Sequence, residues 1–225
     1  KQPTSVFVTM GSTAKTSVTA TGNGLKYQWY YKNAGASSFS KSSQTSSTYS
    51  ATMSSTVDGR QVYCVVTDKY GNTVKSNTAT LKSKVAITKQ PSDTYVPIGY
   101  KAKATVTATG NGLKYQWYYR DPGKSYFAKS SATSSTYSVI MTAAISGRQV
   151  YCVVTDQYNN SVTSGKATLY SKVAITKQPS DTYVSIGSTA KATVTATGNG
   201  LKGQWCDRNA GASSYTKSSA TSSTY

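Results

Sequence analysis

The sequence repeats itself every 88 residues. The tripeptide Lys-Gln-Pro begins at Lys1, Lys89 and Lys177, and the hexapeptide Thr-Gly-Asn-Gly-Leu-Lys recurs with the same spacing from Thr21. The copies align without a gap. Self-similarity at a fixed period indicates one folding element copied along the chain, so each copy is expected to be a small domain.

The period divides the chain into two complete repeats and the first half of a third. We expect domains at residues 1–84 (repeat 1) and 85–172 (repeat 2), and a truncated one at 173–225 (repeat 3). The chain begins at Lys1 and ends inside a repeat, so it is expected to be a window onto a longer protein. No apolar stretch near 20 residues is present, and a membrane span is therefore not expected in this segment.

The chain is strongly basic, and the charge is spread over all three repeats. Lys and Arg number 25 and acidic residues 7, all of them Asp, which gives a net charge of +18. Such a field favours polyanions, among which we expect an anionic glycan or cell-wall polymer and not nucleic acid. The alternative is that lysines on strand edges keep the repeats soluble and prevent edge-to-edge pairing.

Short segments with alternating apolar and polar residues predict β-strands. In the second repeat they occupy residues 104–108, 113–119, 137–141, 150–155 and 164–169. Clusters of Gly, Asn, Asp and Ser separate them, and no stretch has a helical period. Many short strands with frequent turns predict an all-β chain of antiparallel sandwiches.

The spacing of tryptophan and cysteine makes the resemblance specific. Trp29 precedes Cys64, and Trp117 precedes Cys152, by the same 35 residues. Together with Ala-Thr-Gly-Asn-Gly-Leu-Lys-Tyr-Gln-Trp and Gly-Arg-Gln-Val-Tyr-Cys-Val-Val-Thr-Asp, this pattern resembles the tandem immunoglobulin-like (Ig-like) repeats of bacterial, especially Gram-positive, surface proteins. The resemblance covers both full repeats and half of the third. It implies tandem Ig-like β-sandwiches with Trp on strand C and Cys on strand F.

The resemblance is to the disulfide-free branch of this fold. Val18, Val106 and Val194 stand near the places where a strand B cysteine would face strand F. Each full repeat therefore has one thiol without a partner. The predicted structural core comprises Trp29, Cys64, Trp117, Cys152 and Trp205.

Repeat 3 departs from the other two around its tryptophan. Gly203, Cys206 and Asp207 stand where repeat 2 has three tyrosines. Alternation places Gly203 and Asp207 inward beside Trp205, where a cavity and an unpaired carboxylate would each cost about 2 kcal/mol or more. Either other segments complete this repeat or its sequence is imperfect.

Enzymatic chemistry is not expected. The chain has no His and no Glu, which removes imidazole-based catalysis, imidazole metal ligands and most carboxylate pairs. The junction from Leu81 to Pro91 holds cations and no carboxylate, so a junctional Ca²⁺ site is not expected. A Lys–Asn isopeptide bond is not expected either. No cofactor and no metal are predicted.

Exposed aromatic residues are the candidate binding site. If the tryptophan and cysteine point inward, their neighbours Tyr30, Tyr63, Tyr118 and Tyr151 point outward on the sheet formed by strands C and F. Tyrosines beside Ser, Thr, Asn and Lys suit contact with sugars or proteins. The alternative is that tyrosine is simply favoured on a pleated surface.

The sequence favours a structural role. Short junctions with little Gly predict a stiff array of repeats. We expect a structural or adhesive segment of a bacterial extracellular surface protein, a stalk or fibre whose partners are neighbouring repeats, with self-assembly into a filament. The alternatives are a glycan- or cell-wall-binding accessory region of a larger secreted enzyme, and a phage decoration domain. All three place it outside the cell or on its surface.

Overall fold

A computed structural model describes all 225 residues. The chain is built of β-strands and one three-residue 3-10 helix. It forms two compact units. Unit 1 comprises Lys1–Gln90, Val106–Gln116 and Cys152–Ser164, and unit 2 comprises the remaining residues. No helix is long enough to cross a membrane.

Repeat 1 is a two-layer sandwich of eight strands. They are β1 (Val6–Val8), β2 (Thr13–Ser17), β3 (Lys26–Lys32), β4 (Ser40–Lys41), β5 (Thr48–Thr52), β6 (Arg60–Thr67), β7 (Thr73–Lys75) and β8 (Ala79–Ser83). One sheet has the order β1-β8-β6-β3-β4, with β7 also on β6, and β2 pairs with β5 in the other. Only β1 and β8 run parallel.

Repeat 2 has the same layout. Its strands are β9 (Ala86–Lys89), β10 (Thr94–Pro97), β11 (Lys101–Thr105), β12 (Thr107–Thr109), β13 (Lys114–Arg120), β14 (Ala128–Lys129), β15 (Thr136–Ile140), β16 (Arg148–Thr155), β17 (Ser161–Thr163) and β18 (Ala167–Lys172), with the 3-10 helix at Ala143–Ile145. The larger sheet has the order β10-β18-β16-β13-β14, and β11 pairs with β15 opposite it. This repeated arrangement confirms the predicted fold, tandem Ig-like antiparallel sandwiches.

The core of repeat 1 forms around Trp29 on β3. Trp29 lies directly opposite Cys64 of β6, and neither side chain is exposed. The indole Nε1 donates to the carbonyl of Ser46 at 2.9 Å, and the Tyr49 ring packs at 5.6 Å. Val18 stands near the position at which disulfide-bonded Ig-like domains have their strand B cysteine. It is 5% exposed and belongs to the same cluster. Cys64 is a free thiol in this cluster.

Repeat 2 reproduces this core. Trp117 and Cys152 are fully buried, Val106 is 1% exposed, and the Trp117 Nε1 donates to the carbonyl of Ser134 at 2.8 Å. The Tyr137 ring packs 5.8 Å from Trp117. Burial raises the pKa of the Cys152 thiol to about 11, so the thiol is protonated at neutral pH and is not a nucleophile.

Repeat 3 contains four short strands. They are β19 (Ala174–Lys177), β20 (Thr195–Thr197), β21 (Cys206–Asp207) and β22 (Thr216–Lys217). The sequence places Trp205 in the core, but the structure leaves it half-buried. The physical reason is that residues 173–225 hold no counterpart of β6 or β16, the strands that lie beside the other two tryptophans in the same sheet. Trp205 still donates to the carbonyl of Ser222 at 2.9 Å.

The cavity at Gly203 and the buried carboxylate of Asp207 that the sequence predicts in repeat 3 are not found in the structure. Gly203 is exposed, and a Cβ atom added there would lie 3.1 Å from the carbonyl oxygen of Thr221. Asp207 is half-buried on β21, and Cys206 is exposed beside it. Because Gly203 is exposed and Asp207 is only half-buried, these substitutions do not place a buried charge or an enclosed void next to the tryptophan.

Candidate functional site: a tyrosine face and a buried carboxylate joint

The predicted tyrosines of repeat 1 meet on the outer face of the larger sheet. Tyr30 of β3 lies directly opposite Tyr63 of β6, because Trp29 and Cys64 beside them point inward. The two rings stack with centroids 5.1 Å apart and planes 11° from parallel. Both side chains are half-buried.

Neighbouring side chains complete this packing. The edge of Phe39 contacts Tyr63 at 4.8 Å between ring centroids, and the Lys75 Nζ lies 4.0 Å from the Tyr63 centroid. Lys32 in turn lies over Phe39 at 5.2 Å. The Tyr63 ring is thus contacted by a tyrosine, a phenylalanine and an ammonium group.

Repeat 2 has the same pair. Tyr118 and Tyr151 stack at 5.1 Å and 10°, and Phe127 contacts Tyr151 at 4.9 Å. Arg120 and Lys166 lie over Phe127, at 5.1 and 5.3 Å from its centroid. The sequence pattern did not single out Phe39 and Phe127. They occupy the same position in the two repeats, 88 residues apart, and this repetition is the sequence signal that points to them.

The structure therefore brings each predicted pair together but engages the rings with one another. A cross-strand aromatic pair of this kind stabilises a sheet. A sugar ring that stacked on Tyr63 would have to displace Tyr30, Phe39 or Lys75. The geometry favours a structural role for the aromatic rings and leaves their hydroxyl ends and the surrounding lysines for contact.

Lysines surround the tyrosine pair of repeat 1. Residues paired across strands share a face, and side chains alternate along each strand. The outward positions of β3, β4, β6, β7 and β8 accordingly hold five lysines and no acidic residue: Lys26, Lys32, Lys41, Lys75 and Lys82. We call this set the lysine face.

A second site, which the sequence did not predict, surrounds Asp58 in the turn between β5 and β6. Its side chain is 3% exposed. Oδ1 accepts from the Ser83 backbone N–H at 2.6 Å and the Tyr158 hydroxyl at 3.0 Å. Oδ2 accepts from Asn111 Nδ2 and Gln157 Nε2, each at 2.7 Å. We call these five residues the Asp58 joint.

Three of the four donors of the joint come from two loops that belong to repeat 2 by sequence and to unit 1 by packing. Asn111 precedes β13, and Gln157 and Tyr158 follow β16. The backbone N–H of Gln157 donates to the Asn111 carbonyl at 3.0 Å, which holds the two loops together. Gly112 has φ +60° and approaches closely enough that an added Cβ would lie 2.9 Å from the Gln157 Cβ, so a side chain there would part the loops.

A second carboxylate, that of Asp156, stabilises the loop that carries Gln157 and Tyr158. Asp156 is 2% exposed. Its Oδ1 accepts from the backbone N–H groups of Tyr158 and Asn160, both at 2.9 Å. Its Oδ2 accepts from the Val85 backbone N–H at 3.2 Å. Asp156 therefore fixes the loop that presents Tyr158 and also holds the segment that links the two repeats.

The electrostatics of the joint favour one protonation state. Burial opposes ionisation of Asp58, but hydrogen bonds from Ser83, Asn111 and Tyr158 outweigh it and lower its pKa below the ordinary 3.8. Burial, and then the bond to Asp58, raise the pKa of Tyr158 from 10.0 to about 12. At neutral pH a carboxylate thus accepts from a neutral phenol. The Lys82 Nζ lies 4.8 Å from the Tyr158 centroid.

The sequence missed this site because its residues are far apart in the chain. The linker itself carries only cations, as expected, while the carboxylates come from Asp58 and Asp156, outside the linker. The repeat offered one signal: Asp58 is replaced by Ser146 at the equivalent position of repeat 2. No group of three or more Cys, Asp, His or Glu residues is placed to hold a metal ion.

The stacked tyrosines should be energetically coupled. In a double-mutant cycle of Tyr30→Ala and Tyr63→Ala, we expect a coupling free energy of about 0.5–1.5 kcal/mol, because each ring loses its stacking partner. The rate at which a thiol reagent labels the buried Cys64 measures the opening of repeat 1. Labelling of Cys152 in the same molecules is the control and should not change. Strictly additive effects would contradict the stacking contribution.

The joint should weaken at both ends of the pH range. The folded pKa of Asp58 is lowered, so its stabilising contribution is present above the unfolded pKa near 3.8 and is lost as pH falls through the folded value. The folded pKa of Tyr158 is raised, so its contribution is present below pH 10 and is lost as pH rises towards 12.

Urea unfolding across the pH range measures both effects. The stability difference between the native chain and Asp58→Asn should be constant at neutral pH and should shrink in acid. The difference between the native chain and Tyr158→Phe should shrink in alkali, and also in acid, because the hydroxyl stabilises the charged form of Asp58. A difference that does not vary with pH in either variant would show that the joint does not depend on these protonation states.

Comparison with known proteins finds similarity to solved structures only. No family model and no curated protein sequence matches it. Among solved structures, the N-terminal four Ig domains of Dscam1 isoform 9.44 align at 18% identity and a TM-score of 0.48, covering 76% of this chain and 46% of that one. Extracellular domains 3-5 of Drosophila OTK align at 12% identity and a TM-score of 0.36, covering 96% and 78%.

A third similar structure is the N-terminal Ig1-2 module of the Drosophila receptor protein tyrosine phosphatase DLAR. It aligns at 16% identity and a TM-score of 0.31, covering 76% of this chain and 96% of that one. The chain spans less than half of the Dscam1 chain described above. At these identities and TM-scores nothing about partners, source or function is carried over.

Proposed function

We propose that this chain is a structural segment of an extracellular bacterial surface protein, in which Ig-like repeats are joined end to end as a stiff stalk or fibre. The observation that carries this proposal is the Asp58 joint. A flexible string of domains needs no buried carboxylate shared between the turn of one repeat and two loops of the next. Here one carboxylate accepts four hydrogen bonds, three of them from the following repeat.

The linker between repeats 1 and 2, residues 83–85, supports the same proposal because its backbone is held by hydrogen bonds throughout. Ser83 is fully buried and its backbone N–H is bonded to Asp58, and Val85 is 8% exposed with its N–H bonded to Asp156. The Lys84 N–H between them donates to the carbonyl of Val8 at 3.0 Å. Three consecutive N–H groups of the linker are therefore fixed, and bending there would leave buried polar groups without partners.

The thiols and the composition support a non-enzymatic role. Burial raises the pKa of the Cys64 thiol as it does that of Cys152, so neither is an activated nucleophile. The chain has no His. The bacterial and extracellular assignments are supported by the resemblance of the repeat motifs to those of bacterial surface proteins.

An adhesive role is the second candidate, and the lysine face favours it. Five outward lysines without an acidic neighbour would attract an anionic glycan or cell-wall polymer. The self-packed tyrosines make stacking a minor contribution. Charge would then govern such binding, and its affinity would fall steeply with salt.

Loss of the Asp58 carboxylate should open the linker to protease. Asp58→Ala leaves four donors without their acceptor, and one of them, the backbone N–H of the buried Ser83, would cost about 1–3 kcal/mol if it stayed unpaired. Trypsin cleavage after Lys84, which is exposed but held between buried neighbours, should become about tenfold faster or more, because the linker must open before it is cut. Mass spectrometry of the fragments measures the rate.

A matched control tests whether the effect belongs to the joint. Ser146→Ala changes the equivalent position of repeat 2 and should leave cleavage after Lys84 at the native rate. If Asp58→Ala is cleaved there no faster than the native chain, the repeats are not held by this carboxylate and the stiff-array proposal fails.

The adhesive candidate predicts binding of a polyanion through the lysine face. With polyglycerol phosphate as the probe and neutral dextran as its reference, the triple change Lys26→Ser, Lys32→Ser and Lys41→Ser should weaken binding about tenfold at low salt.

The control variant removes the same charge from the smaller sheets. Lys15, Lys101 and Lys103 are exposed on β2 and β11, and their change to Ser should weaken binding less than about twofold. Equal losses in the two variants would show that net charge alone attracts the polymer and would remove the lysine face as a site.

A further inference from the structure

Repeat 1 carries at one end the same loops that receive Asp58 on repeat 2. Asn23 and Gly24 precede β3, and Asp68, Lys69 and Tyr70 follow β6. Each lies 88 residues before its counterpart in the loops around the joint. In a sandwich these two loops lie at the opposite end from the turn that bears Asp58. We call the five residues the Asn23 surface.

The Asn23 surface has the hydrogen bonds of an assembled joint. The Lys69 N–H donates to the Asn23 carbonyl at 3.0 Å. Asp68 Oδ1 accepts from the backbone N–H groups of Tyr70 and Asn72, both at 2.9 Å. The added Cβ of Gly24 would lie 3.0 Å from the Lys69 Cβ.

The corresponding distances in repeat 2 are nearly identical. They are 3.0 Å between Gln157 and Asn111, and 2.9 Å from Asp156 Oδ1 to Tyr158 and to Asn160. The loops of repeat 1 therefore hold, without any partner, the conformation that the loops of repeat 2 hold around Asp58. A surface that needs no rearrangement loses little entropy when it binds.

The difference between the two sites is exposure. Tyr70 is 76% exposed, whereas Tyr158 is half-buried by Asp58 and its surroundings. Asp68 is half-buried, whereas Asp156 is 2% exposed. The residues that contact the preceding repeat in one place stand open to solvent in the other.

Lys69 gives the Asn23 surface a positive charge that suits a carboxylate, while Asp68, like Asp156, accepts from backbone N–H groups of its own loop. Lys69 occupies the position of Gln157, whose Nε2 donates to Asp58 at 2.7 Å. An ammonium group in that place adds an ion pair to the hydrogen bonds that Asn23 and Tyr70 can offer. At present the Lys69 Nζ lies 4.8 Å from the Tyr70 centroid, beside the hydroxyl-bearing ring.

We propose that the Asn23 surface binds a further Ig-like repeat that carries a carboxylate in its turn between the fifth and sixth strands, as repeat 1 does at Asp58. The partner lies in line before Lys1, and its carboxylate accepts from Asn23, Lys69 and Tyr70. This inference rests on the proposed end-to-end joining of repeats. It goes further in specifying which repeats can be neighbours.

Repeat 2 does not qualify as such a neighbour. Its equivalent turn has Ser146, whose Oγ accepts from the Ser171 N–H at 2.9 Å, just as Asp58 accepts from Ser83. A serine has no second oxygen for the loops of a following repeat. The residue at the position of Asp58, which is Ser146 in repeat 2, therefore decides whether the following repeat is held by a carboxylate.

The test adds one copy of repeat 1 in phase. Residues 1–88 are placed before the full chain, so that Thr88 of the added copy precedes Lys1 as it precedes Lys89 in the native sequence. The added copy carries Tyr70→Phe, which gives its tryptic peptide a different mass. Nitration by tetranitromethane, followed by peptide mass spectrometry, then measures the accessibility of the original Tyr70.

We expect nitration of the original Tyr70 to be at least about tenfold slower in the extended chain than in the native one, because reagent reaches it only when the joint opens. An extended chain whose added copy also carries Asp58→Ala is the matched control and should return to the native rate. Equal rates in the native and extended chains would overturn the proposal.

Two further outcomes separate this inference from the function it rests on. If Tyr70 is not protected while Asp58→Ala still exposes Lys84 to trypsin, the joint between repeats 1 and 2 stands and only the inference about the Asn23 surface fails. If Tyr70 of the unextended chain becomes protected as its concentration rises, a second molecule occupies the surface, and in-line binding is wrong.

Discussion

The burial of one tryptophan between two sheets is the constraint on which the rest of the structure depends. Trp29 and Trp117 are fully enclosed, and each lies beside a buried thiol. Because side chains alternate along a strand, an inward tryptophan and cysteine force Tyr30 and Tyr63 outward, opposite one another. The outward lysines and the loops at the ends of β3 and β6 follow from the same register.

Different interactions stabilise the interior of a repeat and the contact between repeats. Within a repeat, stability comes from apolar packing and from stacked aromatic pairs such as Tyr118 and Tyr151. Where repeats 1 and 2 meet, hydrogen bonds to the buried carboxylates of Asp58 and Asp156 hold them together, and both carboxylates are nearly inaccessible to solvent. A fully bonded carboxylate contributes directionality that apolar packing lacks, since each oxygen fixes the position of its donors.

The local pattern predicted the sandwich and the facing tyrosines because both follow from alternation within single strands. It could not predict how the rings would engage, since Phe39 and Lys75 reach Tyr63 from other strands and loops. The Asp58 joint was beyond it for a similar reason: its oxygens and donors are up to 100 residues apart in sequence. Repeat 3 followed the pattern least, because burial of Trp205 depends on a neighbouring strand like β6 or β16 that residues 173–225 do not contain.

The solitary thiol of each full repeat has a consequence for biogenesis. Since Val18 packs where a second cysteine would stand, the repeat closes its core without an oxidant, and its stability does not follow the redox potential of its surroundings. Disulfide-bonded repeats in a long array would face a number of wrong pairings that rises steeply with each copy. A chain of these repeats can lengthen by duplication without that burden.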